Sequence, residues 1–265
     1  MVGDSRSAIK GSGFEFDQIR EYQIGDDVRL VDWKSSARYG KVLIKQYIEE
    51  RDRTIIIAVD ISASSFFSSV YEQKWERFQK IAAVLALVAE YGKDNVSLIL
   101  FSDEVELFIP PGRGRFHAHK ILEQLFLYKP KKRKTSLEAV LKKLAAMKRR
   151  DSVVFLISDF IDSSNGALLS VVAKHYDVIA VSSLDQHEQT IPAVGFLPVK
   201  DIETGEELCL DTRKRRKNCL DEYLKARVLQ KRKIFMKYGI DFFELTDHKS
   251  LIADTINFFR RRMMY

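Results

Sequence analysis

The stretch Thr54-Ile55-Ile56-Ile57-Ala58-Val59 is apolar or β-branched at every position and stops abruptly at Asp60, with Ser62 and Ser64 just beyond. A strand without apolar–polar alternation buries both faces, which calls for helices above and below it and so for a parallel sheet. In such sheets ligands sit beyond the carboxyl ends of the strands, where Asp60, Ser62 and Ser64 fall. Extended spacing turns alternate side chains the same way, so the three oxygens can converge on one point. Hard oxygen donors suit Mg²⁺ or Mn²⁺ better than a soft metal. Ser and Asp after a strand also cap helices and close turns, and the triplet alone leaves both uses open.

The chain continues in alternation. Ser69 and Glu72 have capping-box spacing, and Trp75, Phe78, Ile81, Ala82, Leu85, Val88 and Ala89 form the stripe of a helix that Gly92 stops. Val96 to Phe101 reads as a second buried strand, and Val105, Leu107 and Ile109 alternate on a hairpin partner expected to end at Pro110-Pro111-Gly112. A helix ending near Tyr128 follows; its His117 and His119, two apart, do not share a helix face and so make a poor metal pair. Thr135 opens a helix running to about Met147. Thr135 and Glu138 have capping-box spacing too, so Thr135 has an innocent use; if it is a ligand instead, Ser136 is left as the cap.

Ser152 to Ile157 repeats the opening pattern, an apolar strand running into Ser158-Asp159. A helix near 164–174, a strand at 178–181, an inserted hairpin at about 193–211, a long basic helix from Arg213 to Lys237 and a short strand from Ile240 complete the series. A terminal helix capped by Asp247 carries Leu251, Ile252, Thr255, Ile256 and Phe259. The alternation predicts a doubly wound α/β fold: a mainly parallel six-stranded sheet with one antiparallel edge strand. The Asp60 strand is expected to be central and to neighbour the Asp159 strand. Residues 1–53 form a separate N-terminal extension expected to pack on the core domain, 54–265. In the extension a strand is expected near 41–49, with Gly25-Asp26 as a turn. Its Arg, Asp and Tyr residues suit either a paired network or a plain polar arm.

Composition narrows the function classes. No stretch approaches the roughly 20 apolar residues of a membrane span, and Met1 to Gly13 lacks the apolar centre of a signal peptide, so the cytoplasm is the expected location. Cys209 and Cys219 stand without a second pair, which suggests neither a zinc site nor a disulfide framework. Residues 213–265 hold 15 Lys/Arg against 6 Asp/Glu, so the positive charge of the chain lies at its C-terminal end. A basic region of this kind meets an acidic protein, a membrane surface or nucleic acid, or is simply a solvated helix face.

Asp60-x-Ser62-x-Ser64, followed at a distance by Thr135 and Asp159, resembles the metal-ion-dependent adhesion site of von Willebrand factor type A domains. The resemblance implies Ser62, Ser64 and Thr135 as direct ligands of Mg²⁺ or Mn²⁺, with Asp60 and Asp159 as the acidic members, at a solvent-facing site. A longer set of residues resembles the bacterial family termed domain of unknown function fifty-eight: Arg20-Glu21-Tyr22, Gly25-Asp26, Arg29, Asp32-Trp33 and Ser36-Ala37-Arg38 ahead of the Asp60 motif, then Ile157-Ser158-Asp159-Phe160 and Asp201-x-Glu203-Thr204-Gly205-Glu206. Members of that family are commonly encoded beside MoxR-type AAA+ ATPases. The resemblance therefore implies a non-enzymatic adaptor or assembly factor whose partner is such an ATPase or its client. Where the family often has glycines, this chain has Arg133-Lys134 before Thr135; an ammonium 4 Å from a cation opposes it by about 1–4 kcal/mol, so weak metal affinity is expected.

Two rivals follow from the same residues. Aspartate-nucleophile phosphatases place a second carboxylate where this chain has Ser62, which cannot serve as acid–base at neutral pH. A nucleic-acid binder would rest on Arg213–Lys217, Lys231–Lys233 and Arg260–Arg262, but no aromatic-plus-basic module signature accompanies those runs.

Overall fold

A computed structural model of the 265-residue chain describes residues 14–49, 53–66, 73–132, 134–147, 151–160, 166–183, 191–200, 205–245 and 251–263. The expected caps at Ser69–Glu72 and Asp247, and Arg133, lie outside these residues. The chain divides into two compact units, residues 1–52 and 53–265.

In the first unit β1 (Phe14–Glu21) pairs antiparallel with β2 (Leu43–Glu49), and α1 (Trp33–Tyr39) lies between them in sequence. Strand β1 was not anticipated, and the reason is local. Phe14 and Phe16 alternate, but the register shifts between Phe16 and Gln18, so Ile19 falls out of phase. The turn at Gly25 adopts φ 110°, a region that favours glycine. Of the two uses open to the charged residues here, the paired network is the one formed. Asp26 receives Arg20 through both carboxylate oxygens, at 2.7 and 2.8 Å. Asp32 caps α1 by accepting from the Lys34 and Ser35 amides.

The second unit is built on one six-stranded sheet. In chain order its elements are β3 (Thr54–Asp60), α2 (Lys74–Tyr91), β4 (Asn95–Phe101), β5 (Val105–Gly112), α3 (Arg115–Leu127), α4 (Leu137–Met147) and β6 (Ser152–Ile157). Then come α5 (Gly166–His175), β7 (Asp177–Ser183), the hairpin β8 (Phe196–Lys200) and β9 (Glu207–Asp211), α6 (Lys214–Lys237), β10 (Asp241–Leu245) and α7 (Leu251–Met263). The strand order is β10-β7-β6-β3-β4-β5, parallel except for β5. Strand β3 is interior and neighbours β6, as its apolar run requires.

Both faces of β3 are buried, and by different helices. Ile57 and Val59 pack with Phe78, Leu85 and Ile121 of α2 and α3, while Ile56 and Ala58 pack with Val140, Leu169 and Phe235 of α4, α5 and α6. Each fully buried Ile or Phe contributes roughly 1.5–3 kcal/mol. The hairpin strand β5 runs on through Pro110 and Pro111 to Gly112 rather than ending there. It is the sheet edge, and the register shift between Val96 and Leu98 leaves Pro110 and Pro111 without ladder partners, so their missing amide hydrogens cost no bond. Val88 of α2 and Ile256 of α7 are 59% and 45% exposed, so neither joins its expected stripe; in α7 the expected Phe259 packs on the core together with Phe258, both half-buried.

Candidate metal centre

The site begins where β3 ends. Asp60 is fully buried; its Oδ1 accepts the Ser62 amide at 2.9 Å and its Oδ2 accepts the Ser158 hydroxyl at 2.7 Å. The β3–β6 pairing, with Val59 opposite Ile157, brings Ser158 and Asp159 to the end of β6 beside Asp60. Ser158 also accepts the Phe160 amide at 3.1 Å. Phe160 takes φ 52°, an unusual conformation for a bulky residue, and its buried ring packs edge-on against Phe235 at 4.7 Å. That anchor holds the Asp159 turn against the core.

The hydroxyls come together next. Ser62 Oγ lies 3.0 Å from Ser64 Oγ, which lies 3.5 Å from Thr135 Oγ1. Helix α4 begins at Leu137, so Ser136 holds the position before it and Thr135 stands outside the helix. The loop bearing Thr135 is fastened from behind. Glu106 of β5 accepts the Lys131 amide at 2.9 Å, the Ser102 hydroxyl at 2.6 Å and the Tyr128 hydroxyl at 3.2 Å. The Ser136 amide donates to the Ser102 carbonyl at 2.8 Å. Lys132 is held by Asp103 and Glu104, and Lys134 is exposed.

The electrostatics are unlike those of a surface carboxylate. Burial first, and the neighbouring Asp159 second, push the Asp60 carboxyl up to about 7, against the hydrogen bonds from Ser158 and Ser62. Asp159 meets a buried cation, Lys74 Nζ, 3.5 Å from its Oδ2. Lys231 Nζ donates to the Asp159 main-chain oxygen at 2.8 Å.

The donor set fits a small hard cation in part. An octahedral Mg²⁺ with oxygens about 2.0–2.1 Å away spaces adjacent donors about 3 Å apart, which the Ser62–Ser64 separation matches. Thr135, 3.5 Å from Ser64, needs to close by about half an ångström. Asp60 stands behind the hydroxyls, and Asp159 is engaged by Lys74. The centre is hydroxyl-rich: among the described residues no group of three or more His, Cys, Asp or Glu that could hold a metal gathers, here or elsewhere. It is also less open than the solvent-facing site expected, since Asp60, Ser62, Ser64 and Asp159 are all buried and Thr135 alone of the five is half-exposed.

Sequence reasoning missed three residues here. Ser158 adjoins Asp159 and, in sequence, reads only as the end of a strand. Lys74 precedes Phe78 by four and Ile81 by seven, so a charge on the buried stripe of α2 was the available signal. Glu106 had no local signal, because its three partners come from other segments.

What fold and site define is a mixed α/β domain with a hydroxyl–carboxylate cluster at the carboxyl ends of its central strands. The chain belongs to the family described as Protein of unknown function DUF58, whose model matches residues 18–232. Uncharacterized proteins of Mycobacterium tuberculosis and Mycobacterium bovis are each 26% identical over 270 residues, covering 99% of this chain and 84% of their own length. Among solved structures, the conserved hypothetical protein BatB from Bacteroides thetaiotaomicron is 16% identical with a TM-score of 0.47, covering 77% of this chain and 94% of its own. An aerotolerance-related membrane protein from Bacteroides fragilis is 14% identical, with the same TM-score, over 77% and 95%. No helix among the described residues of the present chain is long and apolar enough to cross a membrane.

Proposed function

We propose that the chain is a non-enzymatic protein-interaction module of the von Willebrand factor A type that captures a carboxylate of a partner through a divalent cation. The observation that carries this reading is the meeting of Ser62, Ser64 and Thr135, from two separate loops, over the buried Asp60. Bound Mg²⁺ or Mn²⁺ would supply a Lewis-acidic docking point. Ser62, Ser64 and Thr135 would hold it, Asp60 would keep the Ser62 turn in place, and Glu106 would hold the Thr135 loop. The family resemblance makes a MoxR-type AAA+ ATPase, or a client presented to it, the proposed partner, with this chain as adaptor or assembly factor. The phosphatase alternative would need an acid–base at the position of Ser62, whose Oγ faces Ser64.

One observation favours a second reading. On α6 the exposed Tyr223 flanks a recess of about 220 Å³ with Arg227, Gln230 and Lys231, and an aromatic ring among cations suits single-stranded nucleic acid. Thr135→Val separates the two. Valine keeps the shape of a half-exposed threonine, so the fold should persist. Capture of a co-expressed MoxR-type ATPase is expected to need Mg²⁺ and to fall about tenfold or more in the variant. Capture indifferent to both EDTA and the substitution rejects the adhesion reading, and salt-resistant binding to an oligonucleotide promotes the other.

A further inference from the structure

Lys74 is the buried charge that this reading leaves unused. It is the first residue of α2, 1% exposed, with its ammonium 3.5 Å from the Asp159 carboxylate. Its position is costly twice over. A cation in the first turn faces the positive end of the helix dipole, and burial strips its water. The Asp159 carboxylate is a countercharge that offsets both costs, and a buried pair of this kind is strongly destabilised when one member is lost. Lys231 brings a second, half-exposed ammonium to the Asp159 carbonyl.

The charge balance decides how a cation can be held. Asp60 and Asp159, both ionised, would neutralise a divalent ion by themselves. The Lys74 ammonium draws on the Asp159 charge, so less of it is left for a divalent ion. Metal and ammonium also contend for one carboxylate. A carboxylate arriving from outside would give the ion the negative charge that Asp159 spends on Lys74.

We propose that Lys74 competes with the divalent cation for Asp159, keeping metal affinity low in the free protein and making a carboxylate of a protein partner the group that completes the site. This rests on the site being a cation-dependent docking point. Metal and partner then bind together, each raising the affinity of the other by the same factor. Lys74 is a positioning residue in this scheme, acting through Asp159.

Titration calorimetry with MgCl₂ and MnCl₂ on the wild type and Lys74→Met tests it, since methionine replaces the chain without the charge. The variant is expected to bind both ions about tenfold or more tightly. In the wild type, nitrogen-15 spectra of the Lys74 ammonium should lose protection from exchange at saturating Mg²⁺, because the pair opens. Equal measurable affinities in the two proteins, or an ammonium unchanged at saturating Mg²⁺, overturn the competition and leave the metal reading standing. If neither folded protein binds either ion, the metal reading itself falls and takes the competition with it. Should Lys74→Met fail to fold, the wild-type ammonium signal decides alone.

Discussion

Asp26 in the first unit and Asp60 in the second show how differently the two parts of this chain treat a carboxylate. Asp26 accepts the Arg20 guanidinium and the Gln23 amide near solvent, and its carboxyl is held at about 2. Asp60 sits under the sheet rim, and burial and Asp159 raise it to about 7. The first carboxylate is used to tie a turn to a strand. The second accepts from the Ser62 amide and the Ser158 hydroxyl inside the core. The same contrast runs through the apolar residues: Ile24, Trp33 and Tyr39 of the first unit are largely exposed, while β3 and β4 are buried almost throughout.

The largest expected effect sharpens the packing half of the comparison. Phe78→Ala, in the fully buried layer between α2 and the sheet, should cost about 3–5 kcal/mol, read from urea melts. Ile19→Ala in β1, 42% exposed, should cost less than about 1 kcal/mol. Similar losses at the two positions would break the distinction.

Ser158→Ala comes next. It removes the hydroxyl that serves both Asp60 Oδ2 and the Phe160 amide, and should cost about 1–3 kcal/mol while raising the Asp60 titration further. Carbon-13 spectra of the aspartate carboxyls would show whether Asp60 moves; an unmoved Asp60 would mean that the serine is only a turn residue.

The smallest effect belongs to the surface pair. The Asp26 carboxyl is depressed in the folded state, so Arg20–Asp26 contributes stability above the unfolded value near 3.8 and loses it as pH falls through about 2. The sign reverses at Asp60, whose raised value favours the protonated native form, so its contribution weakens as pH rises from near 3.8 toward 7. Arg20→Met should return Asp26 toward its ordinary titration and shrink the acid-side dependence. A carboxyl that still titrates near 2 in the variant would assign the shift to the Gln23 amide alone.

How much of this was legible beforehand depends on the range of the physics. The Ile55–Val59 run dictated a doubly buried strand by itself, because a strand with no polar face has nowhere to lie but inside a covered sheet. The repeat of that pattern at Val153–Ile157 supplied its neighbour, and the antiparallel edge followed from the short alternation after Asp103. Local rules also placed α2, α4 and the hairpin, since their stripes and turns are written within a few residues. Where phase is broken, as at the bulge between Phe16 and Gln18, or where an edge tolerates Pro110 and Pro111, the local pattern misled.

The cluster itself divides the same way. Ser62 and Ser64 are tied to Asp60 by chain spacing, so their nearness was in the sequence. That Thr135 stands outside α4, that Ser158 donates to Asp60, and that Glu106 fastens the loop were decided by contacts between segments tens of residues apart. Lys74 illustrates the limit most sharply. Its letter on an apolar stripe announced a buried charge, but which carboxylate would meet it, and that the partner would be Asp159 of the site, depended on how α2 was laid across the sheet. Ionic pairing is set by three-dimensional distance, which no spacing along the chain contains.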